Sequence, residues 1–224
     1  MSIPYEDVLK RLIEERKRLL LSQKDMSQFL RMDQSNYSKV ELGFRRLSYS
    51  ELEHLCESGA DVHYIYTGLK SMGRYTDFFC KCSYSELLCF LSVAYSVVSL
   101  WRRGGATQKW KAVLEEIKYI PLIEEKQNPS SIFLGLRRSM GASQVKMAEN
   151  LGVDIKKLRD LENGRKLPDS ELVSRLYELY HIPPAVIFRD KKCMESVISI
   201  FMEQLKEEDG KRIYEIIRLL HTMD

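Results

Sequence analysis

The chain has 224 residues, 44% of them hydrophobic and 30% charged, with a formal net charge of +3. That length allows one or two ordinary domains with real cores, and so small a net charge excludes a histone-like binder that holds nucleic acid by bulk attraction. Five cysteines, an odd number, and no signal peptide exclude a disulfide framework and point to a reducing, cytoplasmic setting.

Taken in chain order, Val8, Leu9, Leu12, Ile13, Leu19 and Leu20 recur at helical spacing and predict an amphipathic first helix. Ser22 is placed to cap a helix over Gln23–Leu30, with Asp25 three residues on completing a capping box. Asp33 is the expected cap of a second helix, Gln34–Leu42, which Gly43 ends as a left-handed residue. Two helices of about two turns bury little by themselves. They need the first helix and the later apolar positions Leu52, Leu55, Val62 and Ile65.

Residues 70–82 read as a loop, followed by a strongly apolar helix that ends near Arg102-Arg103-Gly104-Gly105. Its apolar run, Leu87 to Trp101, carries Ser92, Ser96 and Ser99. It is shorter than the roughly 20 residues a membrane span needs, so it predicts a buried core or dimer-interface helix. A further helix is expected over Ala106–Tyr119, closed by Pro121, with a hinge over 124–131 around Pro129.

The helix pair then returns. Ser143 caps Gln144–Leu151, with Lys146 where a capping box would need an acid; Asp154 caps Ile155–Asn163, and Gly164 ends it. A terminal pair is predicted over Cys193–Glu207 and Asp209–Met223. Its apolar faces are Val197, Ile200, Phe201 and Leu205 on one helix and Ile213, Ile216, Ile217 and Leu220 on the other. Such a pair serves self-association or closes its own domain.

The two helix pairs share one skeleton, Arg-x6-Gln-x17-Glu-x-Gly, without a gap. It is Arg16, Gln23, Glu41 and Gly43 in the first and Arg137, Gln144, Glu162 and Gly164 in the second. Small Ser27 and Ala148 stand where the helices must approach, the arrangement of a helix-turn-helix. Both copies resemble the phage-repressor-like (Cro/XRE) helix-turn-helix family. The first match is LSQKDMSQFLRMDQSNYSKVELGFRRLSYSELEHL followed by VHYIYTG, the second GASQVKMAENLGVDIKKLRDLENGRKLPDSELVSRL followed by IPPAVIF. The resemblance implies an all-α protein with two lambda-repressor-like helix-turn-helix domains, residues 1–69 and 130–190. A helical bridge (70–129), a candidate dimerisation segment, would join them, and the C-terminal helix pair (191–224) would follow.

It implies further that helices 34–42 and 155–163 read the DNA major groove, and that Arg16–Glu41 and Arg137–Glu162 are structural salt bridges. One departure stands out: the turn between the paired helices normally carries Gly, as at Gly152, but the first copy has Arg31. Expected DNA contacts in the first copy are Gln23, Gln34, Ser35, Ser38 and Lys39, then Arg45 and Arg46 just beyond the helix. In the second they are Gln144, Lys156, Arg159, Arg165 and Lys166. Ile155 offers only an apolar contact, and Asp160 would repel phosphate if it faced the backbone.

Cys80, Cys82 and Cys89 invite a metal or redox reading, but no nearby His completes a zinc set, so reduced structural thiols are expected and no metal. Without a glycine-rich phosphate loop or nucleophile elbow, no enzyme and no cofactor are expected. The expected partner is double-stranded DNA, with the bridge or C-terminal helices as candidate homodimer surfaces and no membrane association. The alternative is a regulator acting mainly by protein–protein interaction, as an antitoxin-like or developmental inhibitor, with one or both copies as the interaction module.

Overall fold

The computed structural model describes residues 5–101, 131–180, 182–188 and 190–222. Every regular element among them is helical, so the protein is all-α. The expected helix 106–119 and the hinge around Pro129 lie outside the described residues.

The first five helices are α1 (Tyr5–Arg18), α2 (Gln23–Phe29), α3 (Gln34–Glu41), α4 (Tyr49–Glu57) and α5 (Val62–Thr67). After α6 (Thr76–Phe79) and α7 (Tyr84–Trp101), a second set of five follows. These are α8 (Ser131–Ser139), α9 (Gln144–Leu151), α10 (Ile155–Glu162), α11 (Ser170–Tyr180) and α12 (Pro184–Phe188). The starts of α2, α3 and α4 recur at an offset of 121 residues in α9, α10 and α11, because the same punctuation recurs.

Three helix ends in each set close by one backbone pattern. Leu20 N–H donates to Lys17 O and Leu21 N–H to Arg16 O, and Gly141 and Ala142 do the same to Arg138 and Arg137. Arg31 and Met32 cap α2 as Gly152 and Val153 cap α9; Gly43 and Phe44 cap α3 as Gly164 and Arg165 cap α10. This crossed pair of bonds satisfies the last carbonyls and requires a left-handed residue. The second set supplies glycine each time, at φ +60, +61 and +72 for Gly141, Gly152 and Gly164. The first set has Leu20 at φ +57 and Arg31 at +55, which side chains adopt at a cost of about 1–2 kcal/mol each.

A neighbour explains why Gly152 is less replaceable. Arg175 crosses the end of α9, its Nη1 donating to Leu151 O and Gly152 O, and a Cβ on Gly152 would lie 2.2 Å from that nitrogen. His54 stands in the place of Arg175 in the first set.

The start of α2 keeps its full box: Ser22 Oγ accepts from Asp25 N–H and Asp25 Oδ2 from Ser22 N–H. Ser143 accepts from Lys146 N–H alone. Asp154 caps α10 through Lys157 N–H at 2.6 Å, whereas Asp33, expected to cap α3, makes no side-chain cap bond.

Both sets contribute to one continuous core, with Leu12, Met26, Leu30, Tyr37, Leu52 and Ile65 from the first and Phe133, Met147, Leu151, Leu158, Leu176 and Ile187 from the second. Small Ser27 and Ala148 are both about 2% exposed at the helix-pair contact. A polar exception marks the first. Glu15 is fully buried, accepting from Arg18 and from Asp61 N–H, where the second set has Leu136.

The two sets touch directly rather than through a spacer. Leu47 N–H donates to Ser170 Oγ and Ser170 N–H to Leu47 O, both at 3.0 Å. Tyr5 bonds Ser170 at 2.7 Å, Tyr49 Oη donates to Ile187 O, and the Tyr49 and Phe188 rings pack at 5.5 Å. Helix α5 packs on α12, its counterpart in the other set.

The described part of the bridge, residues 70–101, and the C-terminal pair, expected as separate segments, pack together. Helices α13 (Lys191–Glu203) and α14 (Glu207–His221) both pack on α7, and α6 also joins α13. Residues 70–82 are therefore not all loop. Phe78 and Phe79 on α6 stack among Tyr75, Phe90, Tyr214 and His221, and this aromatic cluster holds the short helix in place. Of the described residues, no helix is long and apolar enough to cross a membrane.

Candidate nucleic-acid interface

In both copies the first helix and the third are tied by the same three side chains. Arg16 Nε donates to Glu41 Oε1 at 2.7 Å, Gln23 Nε2 to Glu41 Oε2 at 2.7 Å, and Arg16 Nη1 to Leu21 O at 2.8 Å. In the second copy Arg137 grips Glu162 with both Nε and Nη2, while Gln144 Nε2 donates to Glu162 Oε2 at 2.8 Å. Both glutamates are nearly buried, with side chains 7% and 4% exposed. Burial pushes the Glu162 carboxyl up, but the hydrogen bonds from Arg137 and Gln144 outweigh it and hold the group below the usual carboxylate range.

This triad gives the two glutamines a structural part. Expected as DNA contacts, Gln23 and Gln144 use their amide nitrogens to fix the glutamate. Gln144 then accepts from Arg159 Nε at 3.2 Å, so the exposed Arg159 is aimed from the start of α9. Ser38 in the first copy has no such reach.

The outward faces of α3 and α10 remain open. Gln34, Ser35 and Lys39 are exposed and Ser38 is half-buried, while Tyr37 and Val40 fill the core beneath. On α10, Ile155, Lys156 and Arg159 are exposed over buried Leu158 and Leu161. Asp160 is held by Lys166 at 3.2 Å, which neutralises the repulsion it would otherwise exert on a phosphate. Lys157 is engaged with Asp169 at 3.3 Å.

The segments after these helices differ most. Arg165 is exposed in the second copy, and Lys166 remains half in water despite its pair with Asp160. In the first copy the basic residues after α3 are committed elsewhere. Arg45 is bound through both Nη atoms to Glu51, at 3.2 and 2.6 Å, and Glu51 also closes the capping box of α4. Arg46, expected on DNA, belongs to the contact between the two sets. It pairs with Glu171 at 2.9 Å, donates to Gly43 O at 2.7 Å and lies 4.5 Å from the Tyr5 ring. The bond from Arg46 is the main reason the Glu171 carboxyl is held below its ordinary range.

Sequence reasoning passed over two features here. Leu42 and Phe44 flank Gly43 and are 65% and 82% exposed, where the second copy has Asn163 and Arg165. Two large apolar residues beside a helix-ending glycine were a readable signal. Ser170, the hub of the contact between the copies, left none, since its partners Tyr5 and Leu47 are remote in the chain.

The helix-turn-helix domain family model matches residues 135–187. No curated protein and no solved structure matches the chain. Helices α9 to α12, with the part of α8 that carries Arg137, are thus a helix-turn-helix domain.

Proposed function

We propose that the protein is a cytoplasmic, non-enzymatic, sequence-specific DNA-binding transcriptional regulator, in which the first five helices are a second helix-turn-helix unit. The observation that carries this reading is which faces are covered. The two copies spend α1, α4 and α5 of one and α11 and α12 of the other on their mutual contact. They leave α3 and α10, with Gln34, Ser35, Lys39, Lys156 and Arg159, in solvent. An interaction module built around the same helices would bury those faces.

Contact between equivalent helices α5 and α12 is the mark of a two-fold-like pair, so one chain supplies what symmetric binders build from two. Both reading helices then address successive major grooves, about 34 Å apart. The half-sites are unlike, because Gln34 suits adenine, Arg159 suits guanine and Ile155 suits a thymine methyl.

Selection of bound sequences from a random DNA pool tests the reading. A recovered site with two unlike halves is expected. Gln34→Ala should relax preference at one base pair by about 1–3 kcal/mol, and Arg159→Ala should relax the other half. Recovery of no enriched sequence removes the proposal.

A second reading applies to the first copy alone. Exposed Leu42 and Phe44, with Arg45 and Arg46 tied up, suit a protein surface better than phosphate. Loss of DNA preference in the Arg159→Ala protein but none in the Gln34→Ala protein would favour it.

A further inference from the structure

The thiols that come together are not those the sequence spacing draws attention to. Cys80 and Cys89 are exposed and Cys82 is buried on its own, hydrogen-bonded to Phe78 O. Cys56, on α4, instead meets Cys193, on α13, although 137 residues separate them. Both are buried, at 8% and 4% exposure. Asp190 joins them, and the two sulfurs and a carboxylate oxygen all lie within 4.8 Å of one another.

From this geometry we infer that Cys56, Cys193 and Asp190 form a binding site for a thiophilic divalent cation of the zinc class. Two thiolates and a carboxylate are a donor set such an ion accepts. Metal–sulfur bonds of about 2.3 Å in a tetrahedron require sulfurs roughly 3.7 Å apart, an adjustment of about an ångström at most. Asp190 is already oriented, because its Oδ1 accepts from Cys193 N–H at 2.7 Å as the cap of α13. That bond plays the orienting part that outer contacts play in metal sites.

One of the three ligands, Cys193, borders a cleft of about 260 Å³ that neither Cys56 nor Asp190 lines. Gly59 to Val62 wall it on one side, Lys192 and Glu195 on the other. Three protein ligands leave the fourth position of the tetrahedron to water. Metal uptake displaces the proton of each thiol, so affinity rises with pH. Because α4 belongs to the first copy and α13 to the C-terminal pair, a bound ion would cross-link them. This site is independent of the DNA reading.

The test is titration of the reduced full-length protein with Co²⁺, followed by Zn²⁺. The expected result is thiolate-to-cobalt charge-transfer absorption with tetrahedral d–d bands, saturating at one equivalent and abolished by Zn²⁺. Cys56→Ser and Cys193→Ser should each remove the charge-transfer band's intensity or weaken binding at least about a hundredfold, while Cys80→Ser and Cys89→Ser leave both unchanged. Asp190→Asn keeps a capping side chain and should weaken binding about tenfold, which separates loss of a ligand from loss of fold. Absence of the band, its survival in both Cys56→Ser and Cys193→Ser, its loss in Cys80→Ser, or formation of a Cys56–Cys193 disulfide in place of metal uptake would overturn the site.

Discussion

The two five-helix copies reach one backbone by different chemistry. The second is the simpler solution: glycine at all three left-handed helix ends, Leu136 in the core, and an exposed Arg165 after its third helix. The first places Leu20 and Arg31 at left-handed positions, buries Glu15 and His63, and sets Phe44 in water. What survives both is the Arg–Gln–Glu triad and the crossed backbone bonds, so these define the fold. The rest is free to diverge, at buried Glu15 and His63 and at the helix ends as well as on the surface next to α3.

The triad should fail in the same way in both copies. Glu41→Ala and Glu162→Ala each leave a nearly buried guanidinium without its partner, at an expected cost of about 3–5 kcal/mol in urea denaturation. A loss in one copy with none in the other would mean that the triads are equivalent in geometry only. In the second copy the variant should also free Gln144 and loosen Arg159, an effect without a counterpart at Ser38.

Acid should separate the copies next. His63 is fully buried with neither ring nitrogen hydrogen-bonded, and burial lowers its pKa from 6.5 to about 4; Pro184 occupies the matching position. Between these values the unfolded chain takes up a proton and the folded chain does not. Stability is therefore full above about pH 6.5 and falls as pH drops toward 4, by about 3 kcal/mol in total. His63→Leu should flatten that part of the stability–pH curve and cost little at pH 7, as measured by thermal melts across the range.

Transplanting a surface residue tests the difference beside α3. Phe44→Arg gives the first copy what Arg165 gives the second. If α3 lies on DNA, the variant should bind all sequences more tightly and steepen the salt dependence of log K by about 0.9. An unchanged slope would place the first copy's third helix away from the duplex.

The smallest expected effect concerns the helix ends. Leu20→Gly or Arg31→Gly relieves a left-handed side chain but adds freedom to the unfolded chain, for a net gain of about 0.5–1 kcal/mol each. Gly152→Ala should instead lose about 1 kcal/mol or more, since alanine is strained at φ +61 and the Arg175 tip must move aside from Leu151 O. Denaturation midpoints of the three variants decide whether the first copy carries strain that the second lacks.

Much of this was legible in the amino-acid order because it rests on local rules. Ser22 with Asp25, Asp154, Gly43 and Gly164 act within four residues of themselves, and a repeat at constant spacing exposes which of them matter. The pairing of Arg16 with Glu41 was legible by resemblance, and the same separation of Arg137 and Glu162 supported it. Arg46 was not legible. A basic residue just past α3 suits phosphate equally well until Glu171 and the Tyr5 ring are brought beside it. Nor was the meeting of Cys56 with Cys193, while the close spacing of Cys80 and Cys82 drew notice to thiols that the fold keeps apart in burial. Helix identity, helix ends and the core-facing stripes follow from the chain's own periodicity and capping, which act over one or two turns. Which surface the two copies share, and so which cations stay free for a partner, was decided by packing between residues more than a hundred positions apart, and no local preference encodes that contact.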